Sequence, residues 1–370
     1  MLNFSKYTVI CLTLFISICH KPDTIPIIEG KTFLGYNYYK DDAFIYAADE
    51  HGLNHMKKSD YDSFIVLYSG YSKDENGVYF LGYDLPGAHA ESFYVLNRTL
   101  FARDKKAIYR GRKSFDGPDL ESFIALNDDY AKDKNRVYYY YEWENDFKLA
   151  DLQTFQVAEN SNEYAFDKRN VYYHGLQIDD ADPDSFSLFT QSTNFARDNT
   201  SVFYRGRKIY YANTADFQIL DAQSDYAKDS LRVFYGADVI SGAHPNSFSV
   251  VKYNYGKDKH YIYCSGKKTD YNIMSFYPFN FFYAKDSDGV YYLYTDCAHP
   301  KNEMKIDKAD PETFEIILID VDFSFAKDKK HVYVNNDLIT GADPKSFSSD
   351  NFDYNYYIDT GNARLMPEQK

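Results

Sequence analysis

Residues 130–141, YAKDKNRVYYYY, contain the pattern that decides the fold. An aromatic residue lies three positions before Asp133, a β-branched residue four positions after it, and another aromatic residue five positions after it. Aromatic and β-branched side chains favour strands, whereas Asp and Asn favour a tight turn. The stretch therefore predicts a β-hairpin with Asp133 at the first corner of its turn.

The same pattern recurs along the chain and forms a tandem repeat of ten copies. Successive copies lie 28 to 34 residues apart, except for one interval of 42 residues. A unit of about 30 residues is too small to bury its own apolar face, so such units gain stability by stacking on their neighbours. The residues that we predict to begin the ten turns are Asp41, Asp74, Asp104, Asp133, Asp167, Asp198, Asp229, Asp258, Asp286 and Asp328.

A second block follows each turn, and its clearest copy is GADPKSF at residues 341–347. Asp is a good helix N-cap and Pro suits the first helical turn, so the block predicts a single-turn helix whose Phe anchors it to the core. We therefore predict an all-β fold with single-turn helices, in which tandem β-hairpin repeats stack as an elongated solenoid-like array. A β-propeller is the alternative, although a four-stranded blade usually takes about 40–45 residues.

The beginning of the chain is typical of a secretory signal. Lys6 precedes the apolar run 7–18, which is too short to cross a bilayer. Cys19 follows the run directly, where bacterial lipoproteins carry their acylated cysteine, although Ile18 stands where a small residue is usual. We predict export to the bacterial cell envelope, as an outer-membrane or surface lipoprotein acylated at Cys19, or secretion. The predicted regions are a signal peptide (1–19), a linker (20–35), the repeat array (36–350) and a C-terminal tail (351–370).

The repeat resembles the DKNYY family, a bacterial repeat family. The closest copy is Asp133-Lys134-Asn135 followed by Val137-Tyr138-Tyr139, and the resemblance extends from about residue 36 to about residue 348. The pattern weakens at residues 46–47 and at residues 213–217, where the Asp-Pro pair is missing. The resemblance implies the repeated architecture and does not imply an activity.

Composition excludes several classes of function. The chain of 370 residues has 41 Lys and Arg against 55 Asp and Glu, a net charge of −14, which argues against nucleic acid as a partner. It has no nucleophile elbow, no phosphate-binding Gly-rich loop and no Cys-x-x-Cys pair. Most repeated turns offer one carboxylate, too few for Ca²⁺. We therefore predict no catalytic, cofactor-binding or metal-binding residues, and no cofactor.

The longest interval between copies contains an insertion at residues 294–308. Cys297 lies in it and Cys264 lies about one repeat earlier, so we predict a disulfide between them, with two free thiols as the alternative. We predict a non-enzymatic envelope protein that presents a surface to a protein or glycan partner and contacts the membrane only through a lipid anchor. The alternative is an envelope hydrolase whose site uses non-repeat residues near 294–308, since insertions often lie on a binding face.

Overall fold

Ten small antiparallel sheets, one for each copy of the repeat, make up the fold in the described part of the chain. The computed structural model describes residues 28–49, 52–142, 150–293, 297, 301–319 and 323–366. The predicted signal peptide and Cys19 lie outside these residues. The chain divides into two compact units, residues 1–184 and residues 185–370.

Five sheets lie in the first unit, each a meander of three or four strands in chain order. The first two contain β1 (Thr32–Gly35), β2 (Tyr38–Lys40), β3 (Ile45–Asp49) and β4 (Gly52–His55), then β5 (Ile65–Val66), β6 (Tyr71–Lys73), β7 (Val78–Phe80) and β8 (Tyr83–Asp84). The third and fourth contain β9 (Tyr94–Val95), β10 (Phe101–Arg103), β11 (Ile108–Arg110) and β12 (Lys113–Phe115), then β13 (Ile124–Ala125), β14 (Tyr130–Lys132) and β15 (Val137–Tyr139). The fifth contains β16 (Gln156–Val157), β17 (Tyr164–Phe166), β18 (Val171–Tyr173) and β19 (Leu176–Gln177).

The second unit contains five sheets of the same kind. The sixth and seventh contain β20 (Ser187–Phe189), β21 (Ser192–Arg197), β22 (Val202–Tyr204) and β23 (Arg207–Lys208), then β24 (Gln218–Ile219), β25 (Tyr226–Lys228), β26 (Val233–Tyr235) and β27 (Asp238–Val239). The eighth and ninth contain β28 (Ser249–Lys252), β29 (Tyr255–Lys257), β30 (Ile262–Cys264) and β31 (Lys267–Lys268), then β32 (Tyr277–Pro278), β33 (Tyr283–Asp286) and β34 (Gly289–Tyr292). The tenth contains β35 (Glu315–Ile319), β36 (Ser324–Lys327), β37 (Val332–Val334) and β38 (Asp337–Leu338).

The central hairpin has the same register in all ten copies. Around Asp133, β14 pairs with β15 so that the residue three positions before the Asp faces the residue six positions after it. The other nine hairpins repeat this pairing. The prediction of an all-β fold of tandem hairpin repeats is confirmed, and neither unit contains a closed barrel or a propeller within its described residues.

The second block supplies the anchor between neighbouring sheets. Phe123 lies 5.9 Å from Phe101 of the third sheet and 5.8 Å from Tyr138 of the fourth, measured between ring centroids, and β13 begins directly after it. The predicted single-turn helices occur as 3₁₀ helices at Ala90–Ser92 and Pro245–Ser247, and many other copies make only a turn. The helix stays short because the residue after the Phe enters a strand.

The core consists of a series of small clusters, each shared by two sheets that are adjacent in the chain. Val137, Tyr138 and Tyr139 point alternately to the two faces of β15, and each is 1% exposed or less. Both faces of the hairpin are therefore covered, as the stacking of small units requires.

Short helices lie outside the hairpins. They are α1 (Lys301–Met304), α2 (Tyr354–Thr360) and 3₁₀ helices at Tyr140–Glu142 and Ser349–Asn351. Phe352 is fully buried 5.2 Å from Phe325, so part of the predicted C-terminal tail covers the last sheet. Among the described residues, no helix has the length and apolar character needed to cross a bilayer.

Candidate functional site

The carboxylate of Asp133 connects its own turn to the helical turn that precedes it. One oxygen, Oδ1, accepts the N–H groups of Asn135 and Arg136 at 2.7 and 2.9 Å. The other, Oδ2, accepts the N–H of Asp119 at 2.8 Å and the hydroxyl of Tyr138 at 2.7 Å. Since Asp133 is only 5% exposed, these four donors compensate for the loss of water around its charge.

The other repeated Asp residues use the same contacts. All ten accept the N–H of the residue two positions later, as in the predicted turn. The second contact, to an N–H located 14 to 18 residues upstream, was not predicted from the sequence. The sequence feature that could have indicated this contact is the nearly constant spacing between the second block and the next Asp. It is made by Asp74, Asp104, Asp133, Asp167, Asp229, Asp258, Asp286 and Asp328.

These hydrogen bonds determine how the carboxylates and the neighbouring tyrosines titrate. Burial acts to raise the pKa of Asp133, but the hydrogen bonds from Asp119, Tyr138, Arg136 and Asn135 outweigh it and hold the pKa below its ordinary value. Burial raises the pKa of Tyr138 to about 12. The pKa is lowered against the effect of burial, through the same kinds of bond, in Asp104, Asp167, Asp258, Asp286 and Asp328.

The residue before the Asp connects each repeat to the next one. The Lys132 ammonium donates to the carbonyl oxygens of Leu152 and Phe155 at 3.0 and 3.2 Å, in the turn that follows. A Lys-Asp pair therefore contacts two successive turns, one through each side chain. Equivalent bonds to the following turn are made by Lys73, Arg103, Lys228, Lys285 and Lys327.

The structure brings the two predicted disulfide partners together. Cys264 ends β30, and its Cα lies 5.8 Å from that of Cys297, with the two sulfurs joined. This Cα separation is in the usual range for a disulfide. The oxidised state stays a prediction, and it would tie the insertion to the eighth sheet.

The rest of the insertion is described from residue 301 onward, and residues 294–296 and 298–300 lie outside the described residues. The ammonium of Lys301 lies 2.6 Å from the carboxylate of Asp286 and 2.7 Å from that of Asp288. A cleft of about 570 Å³ lies beside these groups and is lined by Asp288 and Asp307 among others. Within the described residues, no group of three or more His, Cys, Asp or Glu side chains is arranged to hold a metal ion.

A larger cleft, which we call the basic cleft, lies in the first unit and has a volume of about 630 Å³. Its backbone passes close to one wall at Gly111, where φ is +58° and a Cβ atom would lie 3.5 Å from the Phe80 ring. Its apolar lining is Phe80, Leu81, Leu100 and Tyr140, and its cationic lining is Arg110, Arg112 and Lys113.

The charge of Arg110 is compensated inside the protein. Its guanidinium donates to the Asp129 carboxylate at 2.6 Å and to the Asp128 carbonyl at 2.7 Å, and it stacks 3.6 Å from the Tyr140 ring centroid. Burial raises the pKa of Asp129, although the charge of Arg110 opposes the rise. Arg110 therefore holds the Tyr140 ring in place in the wall of the basic cleft.

The charges of Arg112 and Lys113 remain uncompensated by carboxylates in the described part of the chain. Both residues are exposed. Arg112 lies 4.8 Å from the ring centroid of Tyr83, and Lys113 lies 5.1 Å from that of Phe115. Sequence reasoning missed this cleft because it assigned the binding face to the insertion; the available signal was the Arg-Gly-Arg-Lys run at residues 110–113.

Comparison with known proteins gives one kind of match. The model described as the DKNYY family matches five overlapping stretches, residues 11–113, 38–175, 101–237, 139–267 and 195–363. No curated protein and no solved structure is detectably similar to the chain.

Proposed function

We propose that this chain, which belongs to the DKNYY family, is a non-enzymatic repeat scaffold, exported to the bacterial cell envelope, that presents a binding surface to a protein or glycan partner. The basic cleft is the observation that carries this proposal. Its volume of about 630 Å³ lies in the range of ligand sites, roughly 300–1,000 Å³, and its lining combines apolar walls with a few charged groups.

The repeated side chains support a structural role for the array. The Asp133 carboxylate accepts hydrogen bonds from its own turn and from the preceding one. Lys132 is engaged with the following turn in the same way. Groups that are buried and paired in this manner stabilise the scaffold, so recognition falls to residues that differ between repeats.

A glycan array probed with the full chain, together with cross-linking on intact cells, tests this function. The variant L100W fills part of the basic cleft, whereas L176W places the same side chain at an exposed position outside the cleft. We expect binding to be lost in L100W and kept in L176W. Absence of any bound glycan and of any cross-linked partner would contradict the proposal.

Export and acylation need a separate test. The proposed signal peptide predicts that the mature chain begins at Cys19 and carries lipid, so C19A should remain unprocessed at that position. Mass spectrometry of the N-terminal peptide from envelope fractions measures both. A mature, unlipidated N-terminus elsewhere would overturn acylation while leaving secretion in place.

A hydrolase at the insertion is the second candidate. The cleft of about 570 Å³ favours it because Asp288 and Asp307 both line that cleft. Hydrolysis of envelope polysaccharide by the full chain, lost in D307N and D288N but kept in R112Q, would establish it. Equal rates in all three variants would exclude these carboxylates as catalysts.

A further inference from the structure

We propose that the ligand of the basic cleft is an acidic oligosaccharide, whose carboxylates pair with Arg112 and Lys113 while its sugar rings lie against the aromatic walls. This inference rests on the proposed function and adds the chemical class of the ligand.

The chain contains the sequence YRGRK twice, at residues 109–113 and at residues 204–208, and the second run begins one position later relative to its turn Asp. In the second copy Arg207 lies 3.6 Å from the carboxylate of Asp238. In the first copy Arg112 and Lys113 have no carboxylate partner among the described residues. With a net charge of −14, the chain has more acidic than basic side chains. Because no described carboxylate pairs with Arg112 or Lys113 despite this excess, these two cations remain available to an anion from outside.

The walls around these cations suit sugar rings. Phe80 and Tyr140 line the cleft, and Tyr83 contacts Arg112 while remaining 48% exposed. Aromatic faces bury the apolar C–H surface of a ligand, and a Tyr hydroxyl can still reach a polar group. Arg binds a carboxylate through two parallel hydrogen bonds, which adds orientation to attraction.

The size of the cleft favours a glycan over a protein surface. A stable protein interface covers about 800 Å² on each partner, whereas a volume of about 630 Å³ holds only a short chain of rings or one side-chain cluster. An acidic peptide is the competing ligand with the same charge, and the experiment separates the two.

Calorimetric titration of the full chain with a galacturonic acid hexamer and with a hyaluronate hexamer tests the proposal. The methyl ester of the galacturonate hexamer keeps the rings and removes the charge, and a glutamate hexamer keeps charge and removes the rings. We expect R112Q/K113Q to weaken binding of an acidic hexamer at least tenfold. The matched variant R207Q/K208Q should keep binding within twofold, with melting temperatures showing that both variants fold.

Each result decides a different question. Tighter binding of an acidic hexamer than of the ester and the glutamate hexamer, lost in R112Q/K113Q and weakened by salt, supports the proposal. Binding of neither acidic hexamer, equal binding of the ester, or unchanged binding in R112Q/K113Q overturns it. Neutral glycans that bind and are lost in L100W would overturn the acidic ligand and leave the proposed function standing.

Discussion

The repeat around Asp133 and the repeat around Asp229 build the same turn with different numbers of hydrogen bonds. Among the described residues, Asp229 accepts three N–H groups, at 2.8, 2.6 and 3.1 Å, whereas Asp133 accepts three and also the Tyr138 hydroxyl. The residue equivalent to Tyr138 is Phe234, which is fully buried. Since both hairpins keep one register, the backbone donors define the turn and the hydroxyl only adds to it.

The second block shows the same tolerance. Asp119 before the Asp133 turn is replaced by Asn213 before the Asp229 turn, and neither residue is followed by Pro. Asn213 still donates its N–H to Asp229 and accepts the N–H of Ala215 at 3.2 Å. The weakened sequence pattern therefore keeps its structure, because an Asn side chain caps a turn as an Asp does.

Removal of the carboxylate should have the largest effect. D133A leaves four donors without their acceptor in a buried site, which at about 1 kcal/mol for each stranded group, the low end of the usual cost, predicts a loss of about 4 kcal/mol in the free energy of unfolding. D229A strands three donors and should cost about 1 kcal/mol less. Urea unfolding followed by circular dichroism measures both, and equal losses would show that the Tyr138 hydroxyl gains nothing from Asp133.

The second-largest difference in stability between the two repeats is expected at alkaline pH. The pKa of Tyr138 is about 12 in the folded state, above the ordinary value of about 10, so the folded state holds this proton more tightly. Its contribution to stability is complete below about pH 10 and is lost as the pH rises toward 12. The unfolding free energy of Y138F should therefore fall less between pH 10 and pH 12 than that of the parent chain. A parallel decline in both proteins would contradict the raised pKa.

Exchanging the two aromatic residues should give two smaller effects on stability, one of each sign. Y138F removes one hydrogen bond to a buried carboxylate and should lower the unfolding free energy at pH 7 by about 1.5 kcal/mol. F234Y offers the missing hydroxyl to Asp229 and should raise it by about 0.5–1 kcal/mol. If F234Y destabilises the protein instead, a hydroxyl group on the ring at this position does not reach the Asp229 carboxylate.

The lysine contact should have the smallest effect. Within the described part of the chain, Lys132 donates to two carbonyl oxygens, whereas the equivalent Lys228 donates to one, that of Pro245, at 3.1 Å. K132M should lower the unfolding free energy by about 1 kcal/mol and K228M by about half of that. Thermal unfolding of the two variants side by side measures the difference, and a larger loss in K228M would reverse the expected order.

Sequence reasoning identified the hairpins because their determinants are local. The aromatic residues and the Asp of each copy lie within nine positions, and strand alternation and turn chemistry act over that distance. The second contact of Asp133, which seven other repeated Asp residues also make, and the contacts of Lys132 join residues 14 or more positions apart. These contacts depend on how one turn packs on the next, and local pattern does not carry that information.

The basic cleft was beyond sequence reasoning for a related reason. Tyr140 continues the aromatic run of its repeat, and Arg110 stands where most other copies have an aromatic residue, so neither suggested a binding site. Their meeting at 3.6 Å follows from the stacking of the third and fourth repeats. The pairing of Arg207 and the lack of a carboxylate beside Arg112 in the described residues likewise appear only in three dimensions.

The residues that cover the last sheet have a consequence for self-assembly. A stack of like modules offers, at an open end, a face onto which a module from another molecule can fit, and head-to-tail contacts of that kind generate fibres. Phe352 and Tyr357 occupy this face with side chains that belong to no hairpin, 5.5 Å apart between ring centroids. Phe352 and Tyr357 therefore cover apolar surface of the tenth sheet that a module of another molecule could otherwise contact, as capping repeats do in other repeat proteins.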